Sequence, residues 1–149
     1  MRYMLYECNE RRVPLRKEIN YVKNYLELEK LRQGKKFDIR FKLDGEIEDQ
    51  KIAPLMFIPF LENSFKHGVN NQLTDGFVEI QLRLNKDNVR VEIENSKAPT
   101  LPSPSGKISG GIGLVNVRRR LDLLYPDNYI LEIENNPNTY KVHLELNLD

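Results

Sequence analysis

Glu62, Asn63, Lys66 and His67 bring a carboxylate, an amide, an ammonium and an imidazole into one short run, Pro59-Phe60-Leu61-Glu62-Asn63-Ser64-Phe65-Lys66-His67-Gly68. Laid on a helix at about 100° per residue, these four share an arc of roughly 140°. Phe57, Ile58, Leu61 and Phe65 fall on the other side as a core-facing stripe. Such a set can take a proton, ligate a hard cation and contact a phosphate; the bland alternative is a solvated helix face. A second group is Gly110-Gly111-Ile112-Gly113-Leu114, at the start of a strong helical pattern. A helix N-terminus preceded by glycines offers free N–H groups and a positive dipole end to an anion. The run has no GxxxxGK[ST], and the nearest dinucleotide-type spacing puts Asn116 where a third glycine belongs, so a flexible hinge is its alternative reading. Asn95 keeps the phase of Val89, Val91 and Ile93 and is expected to face the helix-covered side. There it either closes a turn or reads a ligand.

The elements that must position these residues follow from periodicity. Pro14 suits a first helical position, and Leu15, Ile19, Val22 and Leu26 mark one face of a long helix ending near Gln33-Gly34. Phe37, Ile39, Phe41 and Leu43 alternate as a half-buried strand ending at Gly45. Pro54 is a candidate start for the central helix, whose regular part Pro59 delays or bends. Val78 to Leu84 and Val89 to Asn95 form two strands joined by Lys86-Asp87-Asn88, antiparallel to each other. The Ser96 to Gly111 stretch is a long loop, expected to act as a lid. A helix then carries Val115, Val117, Leu121 and Leu124 and stops at Tyr125-Pro126. Two more strands follow, through Tyr129, Leu131 and Ile133 and through Tyr140, Val142, Leu144, Leu146 and Leu148. All five strands alternate, and none is apolar on both faces. The expected class is α+β: a two-layer sandwich in which helices cover one face of a mixed, mostly antiparallel sheet.

Composition excludes several functions. Among 149 residues, 23 Lys and Arg against 22 Asp and Glu leave a net charge of +1. No one-sign field argues for nucleic acid or an anionic membrane as the main partner. Cys8 is the only cysteine, so the chain has no intrachain disulfide and no cysteine metal cluster, and a reducing compartment fits. It reads as inert. No apolar run approaches a membrane span and no signal peptide opens the chain. Arg2 to Arg12 reads as a short helix or the end of one, cut from something longer. His143 alternates outward on its strand and reads as solvated; Arg118 to Arg120 point in three directions.

In order, Glu62-Asn63-x-x-Lys66-His67-Gly68, a strand ending in Asn95, a lid-like loop, Gly111-x-Gly113-Leu114-x-Asn116 and Thr139 resemble the ATP-binding domain of a sensor histidine kinase. That domain belongs to the superfamily shared with type II topoisomerases and heat-shock chaperones, with its Bergerat-type fold. More narrowly the chain resembles the LytS-like branch. There Arg2-Tyr3-x-Leu5-Tyr6, Val13-Pro14-Leu15 and Tyr25-Leu26-x-Leu28-Glu29-Lys30-x-Arg32 look like the end of the dimerisation and phosphoacceptor region and its junction. The resemblance implies that residues 1–33 belong to that region and connecting helix, and 34–149 to the catalytic domain. It implies ATP and Mg²⁺ as cofactors, with Asn63 ligating Mg²⁺ and Glu62 as the base that accepts the proton of the attacking histidine. Lys66 and His67 would contact phosphate or ribose. Gly111, Gly113 and Leu114 would line the phosphates, and Asn95 and Thr139 would complete the nucleotide site.

The implied partners are ATP, the phosphoacceptor helices of the same kinase, a response regulator and a second copy in a homodimer. The implied location is the cytoplasmic side of an inner-membrane-anchored sensor, with no membrane contact by this piece. The sequence departs from the pattern in two ways. The usual Asp-x-Gly-x-Gly appears as Asn95-Ser96-Lys97-Ala98-Pro99, and Asn138 stands where a glycine precedes Thr139. The phosphoacceptor histidine would lie upstream of Met1. Asn95 and the missing glycines favour the competing reading, a degenerate module that docks a partner without productive ATP binding.

Overall fold

The computed structural model describes residues 12–34, 37–67, 76–97 and 111–148. The expectations for Arg2 to Arg11, Cys8, Gly68 and most of the lid-like loop lie outside the described residues. The same holds for the side chain of His67 and for the surroundings of Gly111 and Gly113.

The chain runs β1 (Val13–Pro14), α1 (Leu15–Gln33), β2 (Phe37–Asp44), β3 (Lys51–Ile52), α2 (Ile58–His67), β4 (Gly76–Leu84), β5 (Asn88–Ser96), α3 (Gly111–Leu124), β6 (Tyr129–Asn135) and β7 (Thr139–Asn147). Five strands form one sheet in the order β2-β4-β5-β7-β6. Three neighbouring pairs are antiparallel; β2 and β4 are parallel. A parallel pair needs a crossover, and the one here contains α2. The β4–β5 pairing is antiparallel, as the short Lys86-Asp87-Asn88 turn requires.

Strand alternation decides what is buried. Val78, Ile80, Leu82 and Leu84 of β4 lie beside Val89, Val91 and Ile93 of β5 and Val142, Leu144 and Leu146 of β7, all buried. Helix α1 packs on β2, and α2 packs on β5 and against α3. Leu15, Ile19, Val22 and Leu26 of α1 and Val117 and Leu121 of α3 are buried in the same core. The opposite sheet face is charged, with Glu92 joined to Lys141 and His143, and Arg90 to Glu145. His143 is therefore not merely solvated. It is half-buried, its Nδ1 3.2 Å from Glu92 and its Nε2 3.8 Å from Glu145, with Glu92 and Glu132 opposite it on the flanking strands.

A second, two-stranded ladder of β1 and β3 is too short to be read from periodicity. It pairs Val13 with Ile52, and Leu15 N–H donates to Gln50 O at 2.8 Å, which fixes the start of α1 against the loop before α2. Pro14 is the N-cap, with φ −57° and ψ 132°, and Leu15 is the first helical residue. Gly45 ends β2 at φ 102°, where a Cβ would stand 2.2 Å from Leu84 O. Only glycine fits both the backbone angle and the space.

Leu55 sits at φ 57° just ahead of α2, an uncommon conformation for a residue with a branched side chain. Two side chains hold it. The fully buried Glu18 of α1 accepts a hydrogen bond from Leu55 N–H, and Arg120 of α3 donates to Leu55 O at 3.2 Å. Nearby, Arg12 donates to Leu124 O at 3.2 Å and lies over the Tyr125 ring, 4.2 Å from its centroid. The Tyr125 hydroxyl accepts from Ala53 N–H at 2.9 Å. The C-terminal half of α3 is thus tied to the entry of α2.

Candidate functional site

Helix α2 begins one residue before Pro59, whose missing N–H falls in the first turn, where helices leave donors unpaired in any case. Phe57 O takes up the first turn, accepting from Phe60 N–H at 3.1 Å and Leu61 N–H at 3.3 Å. Phe57, Phe60, Leu61 and Phe65 are buried, which anchors one side of the helix. The rotation that buries them exposes Glu62 and Lys66 and leaves Asn63 half-buried. Tyr25 of α1 packs edge-on against Phe65, with ring centroids 5.9 Å apart. Burial pushes the Tyr25 phenol up, with the carboxylates of Glu29 and Glu62 adding to the effect.

Asn95 closes β5 on the covered face, opposite Val78 of β4 and Tyr140 of β7. Its side chain is buried, the residue only 1% exposed. Nδ2 donates to Ser96 O at 2.9 Å, so the amide is fixed with Oδ1 turned away from that carbonyl. Oδ1 is buried and has no hydrogen-bond partner among the described residues. Tyr140 is likewise buried, and its hydroxyl makes no hydrogen bond of full geometry among them. Burial pushes the Tyr140 phenol up, and the adjacent Asn63 amide pulls it partly back. The Ser64 hydroxyl, one residue along α2, is a third buried polar atom without a partner there. An unpaired buried oxygen costs about 1–3 kcal/mol, so the Asn95 and Tyr140 oxygens, side by side on β5 and β7, mark a place suited to a ligand.

The first turn of α3 contains Gly111 and Gly113, and Leu114 is half-buried against the core. Arg120 meets Leu55 just before α2 starts, so α3 passes α2 with its C-terminal half at that end. Of the three arginines, Arg118 and Arg119 are exposed, while Arg120 is engaged with the Leu55 carbonyl.

Thr139 pairs with Ser96, in the strand phase opposite Asn95, and its Oγ1 accepts from Asn136 Nδ2 at 3.4 Å. The residue that stands beside Asn95 on the covered face is Tyr140. Its phase matches Val142 and Leu144 in the sequence, and a phenol in an otherwise aliphatic row is the signal that could have found it. Lys97 N–H donates to Asn138 O at 3.0 Å, which carries the β5–β7 contact past Ser96.

Among the described residues, no group of three or more His, Cys, Asp or Glu side chains is placed to hold a metal ion. A cation at Asn63 would rest on one amide oxygen, with its remaining ligands from water or a bound anion. That arrangement suits a hard, largely hydrated ion accompanying phosphates. The buried Asn95 acceptor suits a flat group carrying an N–H donor. The donor set thus fits a magnesium-bound nucleotide.

The histidine kinase family pattern matches residues 1–37. The chain is 28% identical over 128 residues to the sensor histidine kinase BtsS of Escherichia coli, covering 86% of this chain and 22% of that protein. It is 29% identical over 146 residues to the sensor protein LytS of Oceanobacillus iheyensis, covering 91% and 25%. The chain thus spans about a quarter or less of the length of these relatives. Among solved structures it resembles the nucleotide-free catalytic domain of histidine kinase ThkA, with a TM-score of 0.63 at 19% identity, covering 92% of this chain and 94% of that one. It also matches ThkA in complex with the response regulator protein TrrA, with a TM-score of 0.65 at 18% identity, covering 99% and 46%. These likenesses establish the two-layer α+β fold.

Proposed function

A relative of the LytS-like sensor histidine kinases with the fold of histidine kinase catalytic domains, this chain is, we propose, the ATP-binding catalytic part of a two-component sensor kinase. In the whole protein it transfers the ATP γ-phosphate to a histidine upstream of this chain. The observation that carries the reading is the buried, unpaired Asn95 Oδ1 at the end of β5, on the face covered by the helix that bears Glu62 and Asn63.

Phosphoryl transfer asks the protein mainly to position groups and neutralise charge. Mg²⁺, held through Asn63, would supply the neutralisation of phosphate charge. Asn63 gives it one amide oxygen, and Lys66 and His67 contact phosphate or ribose. The Asn95 oxygen accepts the adenine amino hydrogen, which excludes a base presenting a carbonyl there. Gly111 and Gly113 let the backbone of α3 approach the phosphates, where the positive end of the helix favours them. Leu114 anchors that turn to the core. Thr139 lies one residue from Tyr140 and supports the strand end that carries the site. Glu62, exposed on α2, can meet an incoming histidine and take its proton.

A dimer of the whole protein presents that histidine, and a response regulator then receives the phosphate; ThkA in complex with TrrA supports this partner. Among the described residues no helix is long and apolar enough to cross a membrane, which agrees with a cytoplasmic position below an anchored sensor.

The test uses the whole parent protein with γ-labelled ATP. Acid-labile, alkali-stable phosphate should appear on it, and Asn63→Ala and Glu62→Gln should each abolish or strongly slow its formation. Labelling at the wild-type rate in both variants would contradict the roles given to these residues.

A further inference from the structure

Three hydroxyls stand where β5 ends and β7 begins, and two of them are used by the fold. Ser96 Oγ accepts from Phe77 N–H at 2.9 Å, and Thr139 Oγ1 accepts from Asn136 Nδ2 at 3.4 Å. Tyr140 lies in the other strand phase. It is only 3% exposed, and its hydroxyl makes no hydrogen bond of full geometry among the described residues. The register sets it directly opposite Asn95, whose Oδ1 is also buried and without a partner there. Neighbouring strands thus bring two unpaired polar atoms to the end of one buried face. We propose that the Tyr140 hydroxyl is a specificity-determining group of the base subsite, donating a hydrogen bond to an adenine ring nitrogen beside the amino group that Asn95 receives. The inference rests on the nucleotide-site reading and deepens it.

The assignment follows from what each group has left to offer. Asn95 Nδ2 is committed to Ser96 O at 2.9 Å, so toward a ligand Asn95 can only accept. A phenol can donate, and no acceptor among the described residues takes the Tyr140 proton. An acceptor beside a donor matches the edge of adenine, where an amino group is flanked by the lone pairs of N1 and N7. Guanine sets a carbonyl where adenine has the amino group, and the Asn95 amide, held by Ser96, cannot turn to meet it. A buried hydroxyl without a partner lowers stability. Phenylalanine would fill the same space in a row otherwise made of Val142, Leu144 and Leu146, so packing gives no reason for the oxygen. A base that takes its proton does. Such a site rejects a ligand lacking the matching atom, because its own polar group is then left buried and unpaired.

The experiment titrates the 149-residue chain and its Tyr140→Phe variant with ADP, 1-deaza-ADP and 7-deaza-ADP in Mg²⁺ by calorimetry. Each deaza analogue replaces one ring nitrogen by C–H. In the wild type one of the two should bind about fivefold more weakly than ADP, the equivalent of one hydrogen bond. Tyr140→Phe should bind ADP about fivefold more weakly and should no longer distinguish that analogue from ADP. Without nucleotide the variant should melt at or above the wild-type Tm, because it has lost an unpaired buried oxygen. Wild-type affinities that are the same for all three nucleotides would overturn the inference and leave the nucleotide site standing. Equal losses for all three in Tyr140→Phe, with a lowered Tm, would also overturn it, making the hydroxyl part of the fold. A wild-type chain that binds none of the three would overturn this inference and the proposed site together.

Discussion

Replacing Asn95 by aspartate separates the two tasks of its amide, holding the end of β5 together and offering an acceptor to the base. In the folded chain Nδ2 donates to Ser96 O at 2.9 Å in a site where the residue is 1% exposed. An ionised aspartate would set a carboxylate oxygen against that carbonyl, with no donor between them. The loss is about 1–3 kcal/mol at pH 7, from one missing hydrogen bond and the poorly solvated oxygen left behind. For a chain of this size that lowers Tm by about 3–10 °C. A protonated carboxyl restores the donor, so the folded state should hold the proton of the introduced carboxyl more tightly than the unfolded chain, where its pKa is about 3.9. The unfolded state then binds fewer protons above that pH, and stability falls as pH rises through the folded value. The variant should therefore approach wild-type stability near pH 4 and fall away toward pH 7, as measured by urea unfolding across that range. An adenine amino group donating to the carboxylate makes a charge-assisted bond. A non-hydrolysable ATP analogue should accordingly raise Tm more in the variant than in the wild type. A variant as stable as wild type at pH 7, with no pH-dependent difference, would refute the claim that the Ser96 carbonyl fixes the amide.

Other perturbations test the frame around the site. Gly45→Ala forces a methyl within 2.2 Å of Leu84 O at φ 102°, so it should cost about 2–4 kcal/mol in chemical unfolding. Arg120→Ala removes a charged donor from the Leu55 carbonyl and should cost about 1–2 kcal/mol, less in an Arg120→Ala, Leu55→Gly double variant because glycine adopts that backbone without strain. At high pH, Tyr125 and Tyr140 resist ionisation in the fold because they are buried, whereas the unfolded phenols titrate near their ordinary value of 10.0. Folding stability is then intact below that pH and lost as pH rises above it, and Tyr140→Phe should make the loss shallower in unfolding curves between about pH 9 and 11.

Sequence is most legible where burial is periodic. Alternation in the five strands and the stripes of α1 and α2 translate directly into sides of elements, and the phase Asn95 shares with Val89, Val91 and Ile93 is enough to put it on the covered face. Pairing is another matter. Strand β2 reads the same whether its neighbour is parallel or antiparallel, and two-residue ladders such as β1–β3 carry no period. Glu18 stands beside Leu15 and Val22 on the buried side of α1, but its charge hides this, because its reason for burial is a backbone N–H thirty-seven residues away. At the site, the order of motifs singles out Thr139, whereas strand phase puts Tyr140 beside Asn95. His143 illustrates the same limit on the other face. Its outward direction is legible, but its glutamate neighbours come from other strands as well as its own.

The measurement that decides most is a calorimetric titration of the 149-residue chain with a non-hydrolysable ATP analogue, with and without Mg²⁺, beside Asn63→Ala. The proposed site predicts binding that Mg²⁺ strengthens and that Asn63→Ala weakens chiefly when Mg²⁺ is present. A well-folded wild-type chain showing no binding at millimolar analogue, or Mg²⁺-dependent binding indifferent to Asn63, would contradict it.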